Sequence, residues 1–158
     1  LNFSKRNHKM SQNNRNTTQK PSAVPRSINI RGLRTNFPSV ESYLCQNSPD
    51  ILALCETNLN SDILTNDFSV HNYHSLFRKD STNRMHGLGV YVRENLPISL
   101  DSRFTSDLPF MCFRLVFLHT TTFLFFLYRS PSSQDCSVIE AVSNGIDEVL
   151  TAARQLTL

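Results

Sequence analysis

The chain has 158 residues, a net charge of +3 at pH 7 and a leucine at its first position. This length suits one domain or part of one and excludes a pair of ordinary domains, and a first residue other than methionine suggests a fragment. No apolar stretch typical of a signal peptide lies near the start, so the sequence gives no support for export.

Charge divides the chain into a tail and a body. Residues 1–26 contain six basic and no acidic residues, whereas residues 27–158 contain ten basic and thirteen acidic ones. The tail has too few apolar residues to offset the cost of ordering a backbone, about 1–2 kcal/mol per residue, so we predict that it is disordered. Such a tail can bind nucleic acid weakly. A solvated leader without a selected role is the simpler alternative.

The first predicted elements are a strand and a helix. Residues 27–33 alternate polar and apolar side chains, which predicts a strand, although Pro25 and Arg26 before it suit an edge or a loop. A helix is predicted from Asn36, because Pro38 would lie in its first turn. Apolar residues then follow at helical spacing: Phe37, Val40 and Leu44.

The next predicted strand ends in a carboxylate. Residues 50–57 contain five consecutive apolar residues, typical of a strand buried on both faces, and then Glu56. Strand, helix and strand in this order predict a parallel crossover, and ligands bind beyond the carboxyl ends of such strands. Glu56 is therefore a candidate site residue.

The rest of the body is predicted to contain further strands and a final helix. Residues 59–84 are interpreted as a loop with one strand near residues 73–77, and residues 87–93 as a strand entered through glycines. Residues 132–158 are predicted to form a helix, capped by Ser133 or Asp135, with apolar residues at helical spacing. These are Val138, Ile139, Val142, Ile146, Val149 and Leu150.

Residues 110–128 are the most apolar stretch, with fourteen apolar residues of nineteen, and allow two interpretations. Their length alone is compatible with a transmembrane segment. Arg114 and His119 disfavour a span, since a charged arginine inside one costs about 2.5–3.5 kcal/mol or more. We favour a hairpin that turns near residues 119–122 and leaves Arg114 on an outer face.

Four cysteines show neither CxxC spacing nor a histidine at ligand distance, so the sequence predicts no zinc site and no redox pair. Each lies among apolar residues and is predicted in the core: Cys45, Cys55, Cys112 and Cys136. Buried thiols are normal in a reducing compartment, which the lack of a secretion signal favours.

Four short segments, in this order, resemble one superfamily. They are residues 29–33 (Asn-Ile-Arg-Gly-Leu), 54–57 (Leu-Cys-Glu-Thr), 87–92 (Gly-Leu-Gly-Val-Tyr-Val) and 128–131 (Tyr-Arg-Ser-Pro). The chain is similar to the endonuclease/exonuclease/phosphatase superfamily, and most similar to the endonuclease domains of LINE-type (non-LTR) retrotransposons. The resemblance implies an α/β fold, the α+β four-layer sandwich of the DNase I-like type, of which residues 27–158 would form roughly the first half.

The resemblance also implies a site. Glu56 would ligate a catalytic Mg²⁺ (or Mn²⁺), which prefers hard oxygen ligands. Asn29 would position the phosphate, the metal's water or the nucleophile, and Tyr128 would donate to a phosphate oxygen or the attacking water. Three arginines near them in sequence are candidate contacts of the DNA backbone: Arg31, Arg34 and Arg129.

Each candidate has an ordinary structural alternative. Glu56 can be a surface carboxylate after a buried strand, and Asn29 a turn residue before Gly32. Tyr128 can be a strand aromatic whose hydroxyl reaches water. Four histidines of the body match no family position and are expected to be solvated or locally hydrogen-bonded: His71, His74, His86 and His119.

The match does not extend over the whole family pattern. The family's Gly-Asp-Phe-Asn stretch, a later Asp and a C-terminal Asp-His pair, which supply the general base and further metal contacts, are absent from these 158 residues. We therefore expect a DNA-nicking, Mg²⁺-dependent endonuclease domain that is inactive as this chain alone, and whose exposed strand edges favour aggregation.

The implied partners are DNA and a reverse transcriptase domain in the same polyprotein, with no membrane and no small-molecule cofactor. Two alternatives stay open. One is a non-catalytic retroelement remnant that binds nucleic acid through the basic tail. The other is a different phosphodiesterase or phosphatase of the superfamily, such as a base-excision-repair nuclease or an inositol-phosphate phosphatase.

Overall fold

A computed structural model describes residues 23–80, 86–104, 110–117, 120–129 and 136–155. These ranges contain β1 (Pro25–Asn29), α1 (Leu33–Asn47), β2 (Ile51–Cys55), β3 (Phe77–Lys79), β4 (Leu88–Val92), β5 (Ile98–Leu100), β6 (Phe110–Phe117), β7 (Thr120–Leu127) and α2 (Ser137–Gln155). Two short 3-10 helices, Thr65–Phe68 and Ser102–Phe104, lie in the connections. Within the described ranges, no helix combines the length and the apolar character that crossing a membrane requires.

The strands form two sheets. The first has the order β1-β2-β4-β3 and the second the order β5-β6-β7. β1 and β2 are parallel, which confirms the predicted crossover, and the other neighbours pair antiparallel. β1 lies at an edge of its sheet, a position in which the missing N–H of Pro25 breaks no ladder.

The central strand β2 is buried on both sides, as its run of apolar residues predicted. Leu52 and Leu54 pack with α1 in one cluster, to which the helix contributes Leu33, Val40 and Leu44. Ile51 and Ala53, on the opposite face, belong to a second cluster. Successive side chains of a strand point to opposite faces, so an uninterrupted apolar run is what a strand between two layers needs.

The second cluster joins the two sheets. It combines Ile51, Leu88, Val90 and Val92 of the first sheet with Met111 and Phe113 of the second. A third cluster lies on the far side of the second sheet, where Phe104, Phe110 and Cys112 pack with Val142 and Val149 of α2. The layers are therefore α1, first sheet, second sheet and α2, which is the four-layer α/β sandwich that the resemblance implied.

Helix α1 begins earlier than the sequence predicted. Its first residue is Leu33, and Gly32 occupies the N-cap position. Asn36, the predicted start, lies in the first turn, where its side-chain amide donates to the carbonyl oxygens of Ile30 and Gly32 at 2.9 and 3.0 Å. Those bonds, rather than a cap at Asn36 itself, fix the start of the helix, and Pro38 lies inside it.

The hairpin interpretation of residues 110–128 is confirmed, since β6 and β7 pair along eight residues. The predicted turn is corrected in part, because Thr120 to Thr122 already pair with β6, whereas His119 lies outside the described residues. Arg114 is exposed, as expected. Burial of long apolar side chains between sheet layers replaces the lipid contacts that a membrane span would make.

The apolar face predicted for the last helix is split. Val142 and Val149 pack against the second sheet, whereas three other apolar residues of α2 are exposed. The predicted caps Ser133 and Asp135 lie outside the described residues. The exposed residues are Ile139 at 52%, Ile146 at 43% and Leu150 at 48%.

Several other boundaries differ from the predictions. The strand expected over residues 27–33 runs over Pro25–Asn29, because Arg31 and Gly32 have positive φ angles that end it. It thus includes two residues assigned to the tail, whose residues 1–22 lie outside the described ranges. The strand expected near residues 73–77 is β3, and Tyr73 makes only an isolated bridge with Arg93.

The cysteine prediction was partly wrong. Cys112 is buried and Cys55 half-buried, but Cys45 and Cys136 are exposed. Cys45 lies on the solvent face of α1 although Tyr43 and Leu44 precede it, because only every third or fourth residue of a helix faces the core. The short strand β5 after Pro97 was not predicted, since three residues give no readable alternation.

Candidate functional site

Three polar side chains follow strand ends and meet at one place. Asn29 is the last residue of β1, and it pairs in register with Cys55 at the end of the parallel strand β2. Glu56 follows Cys55 directly, so the parallel pairing brings Asn29 and Glu56 to the same edge of the first sheet. Tyr128 follows β7, and the alternation from Leu124 and Phe126 directs its ring toward the first sheet.

These three residues, which we call the Glu56 cluster, are joined through a single oxygen atom. Glu56 Oε1 accepts a hydrogen bond from Asn29 Nδ2 at 2.7 Å and another from Tyr128 Oη at 2.6 Å. The backbone N–H of Arg31 donates to Asn29 Oδ1 at 3.2 Å, which fixes the orientation of the Asn29 amide. Both bonds to Glu56 are charge-assisted, and their lengths are typical of that type.

The hydrogen bonds favour the ionised form of Glu56. The bond from Tyr128 lowers the pKa of this carboxyl most, and the bond from Asn29 lowers it further, while partial burial opposes them. His86 and Arg31 nearby also lower the pKa. The carboxyl is therefore a carboxylate at neutral pH, the form that a hard cation requires.

The backbone around Glu56 is held from two sides. On one side, the N–H groups of Gly32 and Leu33 donate to the carbonyl oxygens of Glu56 and Thr57 at 2.7 and 2.8 Å. On the other side, the N–H of Thr57 donates to the Gly87 carbonyl at 3.3 Å. Thr57 is fully buried, so the residue next to the carboxylate is fixed in the core.

Backbone strain is concentrated at this place. Glu56 itself (57°) and three other non-glycine residues near the cluster have positive φ: Arg31 (50°), Asn58 (53°) and His86 (84°). Each such residue costs roughly 1–3 kcal/mol and persists only where the surrounding structure determines its conformation. Residues of this kind are concentrated in functional sites, which supports the choice of this edge as the candidate site.

The three predicted arginines occupy different surroundings. Arg31 is exposed and close enough to Glu56 to lower the pKa of that carboxyl. Arg129 is exposed and directly follows Tyr128. Arg34 lies on α1 in a separate surface concavity that it shares with Asp62 and Asp67. These acids reduce the positive potential around Arg34, so Arg31 is better placed than Arg34 to face an anionic ligand at the cluster.

Sequence reasoning missed His86 and Asn58 as neighbours of the site. The backbone N–H of His86 donates to Asn58 Oδ1 at 2.9 Å, and the N–H of Asn58 donates to the His86 carbonyl at 2.9 Å. The imidazole ring lies 5.4 Å from the Tyr128 ring between centroids. The only sequence signal was the position of His86 directly before Gly87, at the entry to β4.

This two-sheet architecture is found in solved nucleases. The endonuclease domain of TRAS1, a telomere-specific non-LTR retrotransposon, matches 75% of this chain with a TM-score of 0.53 and 13% sequence identity. An AP endonuclease, LMAP from Leishmania major, matches 73% with a TM-score of 0.56 and 15% identity. The fold is of the endonuclease/exonuclease/phosphatase type.

The chain spans about half the length of these endonuclease/exonuclease/phosphatase-type structures, 51% of the first and 42% of the second. No family model matches the sequence, and no curated protein matches it. At this level of identity the likeness establishes the fold of the chain, whereas function has to be argued from the site itself.

The donor set of the cluster determines what kind of ion it suits. In the described part of the chain, no group of three or more His, Cys, Asp or Glu side chains is placed to hold a metal. Glu56 offers a carboxylate, and among the described residues its Oε2 accepts no hydrogen bond. One or two carboxylates, retained waters and substrate phosphates are the usual ligands of Mg²⁺, so the residues present fit that ion.

Proposed function

We propose that the Glu56 cluster is part of the active site of a Mg²⁺-dependent endonuclease that nicks DNA, of the retrotransposon type. One observation carries the proposal. Asn29 and Tyr128, from different sheets, both donate to the same oxygen of an ionised glutamate at 2.7 and 2.6 Å. Donors that converge on one carboxylate oxygen orient the carboxylate and leave the other oxygen for a ligand.

Glu56 is the residue that would hold Mg²⁺, or Mn²⁺ in its place. Its lowered pKa keeps the carboxylate available as a ligand down to mildly acidic pH, so metal binding would not compete with a proton near neutrality. When bound, the ion would polarise a phosphoryl oxygen and offset the negative charge that develops during phosphodiester hydrolysis.

Asn29 and Tyr128 would orient the reacting groups. The Asn29 amide is neutral, so it can hold a phosphate oxygen or a water without exchanging a proton. The Tyr128 hydroxyl has one proton, which it donates to Glu56 here, and it would have to turn this donor to a phosphate oxygen to stabilise negative charge that grows in the transition state. Both side chains are held by the Glu56 carboxylate before any substrate binds, and such preorganisation lowers the cost of aligning the reactants.

DNA as the substrate is supported by the likeness to the TRAS1 endonuclease domain together with the four sequence motifs. A reverse transcriptase domain in the same polyprotein is proposed from the resemblance of those motifs alone. Arg31 and Arg129 are exposed beside the cluster, where they can contact phosphates. The AP endonuclease neighbour supports a second candidate, incision of DNA at an AP site. A duplex with a single AP site therefore belongs in the assay beside undamaged DNA.

Metal binding at Glu56 is the first test. We expect the 158-residue chain to bind Mn²⁺, as measured by electron paramagnetic resonance, and we expect DNA to strengthen this binding because the phosphate shares the ion. Glu56→Gln keeps the size of the side chain and removes its charge, so it should abolish this site. Glu94→Gln, at an exposed position after β4, is the matched control and should bind like the wild type. Equal Mn²⁺ affinity in the wild type and Glu56→Gln would overturn the proposal.

Nicking is the second test. We propose that this chain alone nicks supercoiled plasmid weakly or not at all with Mg²⁺, because a general base supplies about 10²–10⁴-fold of a typical rate. In the family that the motifs resemble, the base belongs to segments that these 158 residues lack. Strong nicking that disappears in Glu56→Ala would support the endonuclease function and refute the inactivity. Faster cleavage of the AP-site duplex than of undamaged DNA would favour the second candidate.

A further inference from the structure

His86 lies against the Glu56 cluster without belonging to it. It stands two residues before β4, and its ring centroid is 5.4 Å from that of Tyr128 with 31° between the ring planes. Aromatic rings pack favourably at centroid separations of about 4.5–7 Å, and these two rings meet in a tilted arrangement within that range. We propose that His86 is a positioning residue whose ring fixes the Tyr128 ring, so that the Tyr128 hydroxyl stays on Glu56.

The backbone of His86 is held firmly enough to serve this role. Its N–H donates to Asn58 Oδ1, and its carbonyl accepts from the Asn58 N–H, both at 2.9 Å. Its φ of 84° is unfavourable for any residue except glycine, so the backbone would leave this conformation if those bonds were lost. Asn58 lies two residues after Glu56, so these bonds hold the backbone of His86 against the turn that contains Glu56.

The contact with His86 complements the hydrogen bond of Tyr128. The hydroxyl bond to Glu56 Oε1 joins a ring that comes from the second sheet to a residue that follows a strand of the first. A bond to the hydroxyl does not by itself fix the tilt of the ring, and this tilt changes the direction in which the donor points. Packing against His86 restricts the tilt, so it adds to the packing of the ring between the sheets in holding the direction of the phenol.

The ring shape of His86 accounts for this contact better than its nitrogen atoms do. The Nδ1 atom is buried and makes no hydrogen bond with any described residue. A buried polar atom without a partner costs about 1–3 kcal/mol, so replacing the imidazole with an apolar ring should not destabilise the chain. His86→Phe therefore keeps the packing and removes the nitrogens, whereas His86→Ala removes both, and the two variants share the same strained backbone.

The experiment follows Tyr128 directly in the 158-residue chain without metal or DNA. The chain has four tyrosines, so ¹³C-tyrosine labelling gives four ring signals, and Tyr128→Phe identifies the one that belongs to Tyr128. We expect His86→Ala to shift the Tyr128 signal toward the position of an unfolded tyrosine. His86→Phe should leave it near the wild-type position. His71→Ala removes an exposed imidazole elsewhere and should change nothing.

The meaning of this role for catalysis rests on the proposed function, and a metal readout addresses it. Residues that orient metal ligands typically change metal affinity by about 10–100-fold, so His86→Ala should weaken Glu56-dependent Mn²⁺ binding about 10-fold and His86→Phe much less. If the wild type binds no Mn²⁺, the proposed function fails while the Tyr128 signal still tests the positioning role.

Two results would overturn the inference. One is an unchanged Tyr128 signal in His86→Ala, and the other is an equal shift in His86→Ala and His86→Phe, which would show that the ring does not hold Tyr128. Circular dichroism identifies any variant that fails to fold. If His86→Ala unfolds, His86→Phe decides the question, and a folded His86→Phe with a displaced Tyr128 signal refutes the inference. If both variants unfold, the role of His86 is not confined to Tyr128, and the inference is refuted as well.

Discussion

Gly32→Ala tests whether the backbone conformation at Gly32 is needed to hold the turn that contains Glu56. Gly32 has a φ of 105° and a ψ of 106°, a region that is essentially restricted to glycine. Its N–H donates to the Glu56 carbonyl oxygen at 2.7 Å. An added Cβ would meet its nearest side-chain atom, Asn58 Nδ2, at 3.7 Å, which is ordinary van der Waals contact. The substitution therefore measures strain rather than collision.

The size of the effect follows from two opposing contributions. A side chain forced into this region costs roughly 1–3 kcal/mol. Alanine also lowers the conformational entropy of the unfolded chain, which stabilises the folded state by about 0.4–1 kcal/mol. We therefore expect Gly32→Ala to lower the free energy of unfolding by about 1–2 kcal/mol. In a domain of this size, 1 kcal/mol corresponds to a change in Tm of roughly 2–4 °C, so the expected decrease is about 2–8 °C.

Urea unfolding followed by circular dichroism measures this loss, and Gly145→Ala is the matched control. Gly145 lies in α2, and an added Cβ there would meet ring atoms of Phe104 and Phe125 at 3.3 and 3.4 Å. The helix gains about 1 kcal/mol from alanine, which offsets the small ring movements, so stability should stay near the wild-type value. A wild-type urea midpoint for Gly32→Ala would refute the reasoning. An equal loss in both variants would show that the effect is not specific to Gly32.

Two further predictions concern charge and surface. Tyr128→Phe should raise the pKa of Glu56 more than Asn29→Ala does, because the hydrogen bond from Tyr128 lowers this pKa most. A ¹³C titration of the Glu56 carboxyl measures both pKa values, and the reverse order would contradict the prediction. Ionised Glu56 stabilises the folded chain at pH values above the ordinary glutamate pKa of about 4.3. This stabilisation is lost as the pH falls through the lowered pKa of the folded state. Tyr128→Phe should therefore lose less stability than the wild type when the pH is lowered. Lysine at the exposed apolar positions of α2 should reduce the aggregation that light scattering measures. Val142→Lys is the contrasting variant and should destabilise the chain, because Val142 packs against the second sheet. Unchanged aggregation in the variants at the exposed positions would indicate that the edge of β7 causes it. The exposed positions are Ile139, Ile146 and Leu150.

The position of Glu56 could be predicted because it depends on local pattern. An apolar run that fills both faces of β2 ends abruptly in a carboxylate, and the preceding helix requires a parallel pairing. The limits of β1 and α1 could not be predicted in the same way. They depend on the side chain of Asn36, which bonds back to Ile30 and Gly32, and on positive φ angles that composition does not reveal.

The contacts of His86 lie beyond any sequence pattern. Its hydrogen bonds join it to Asn58, 28 positions earlier, and its ring meets Tyr128, on the other sheet. His86 was expected to be solvated or locally bonded because it matches no position of the family pattern. Pairing of β2 with β4 places Leu88 opposite Cys55, which brings the residues before β4 beside those after β2. Tertiary packing, rather than propensity, selects the neighbours of the site.

Tyr128 shows why the stability of the sandwich and the geometry of the site are linked. Its hydroxyl bonds to Glu56, a residue 72 positions earlier in the chain, while its ring packs in the cluster between the sheets with Val90 and Phe113. A tyrosine can serve both purposes because its ring is apolar and its hydroxyl polar. The distance from the Tyr128 hydroxyl to Glu56 therefore depends on how closely the sheets pack. Substitutions in that shared core would change the direction of a proposed catalytic donor even where they touch no polar residue.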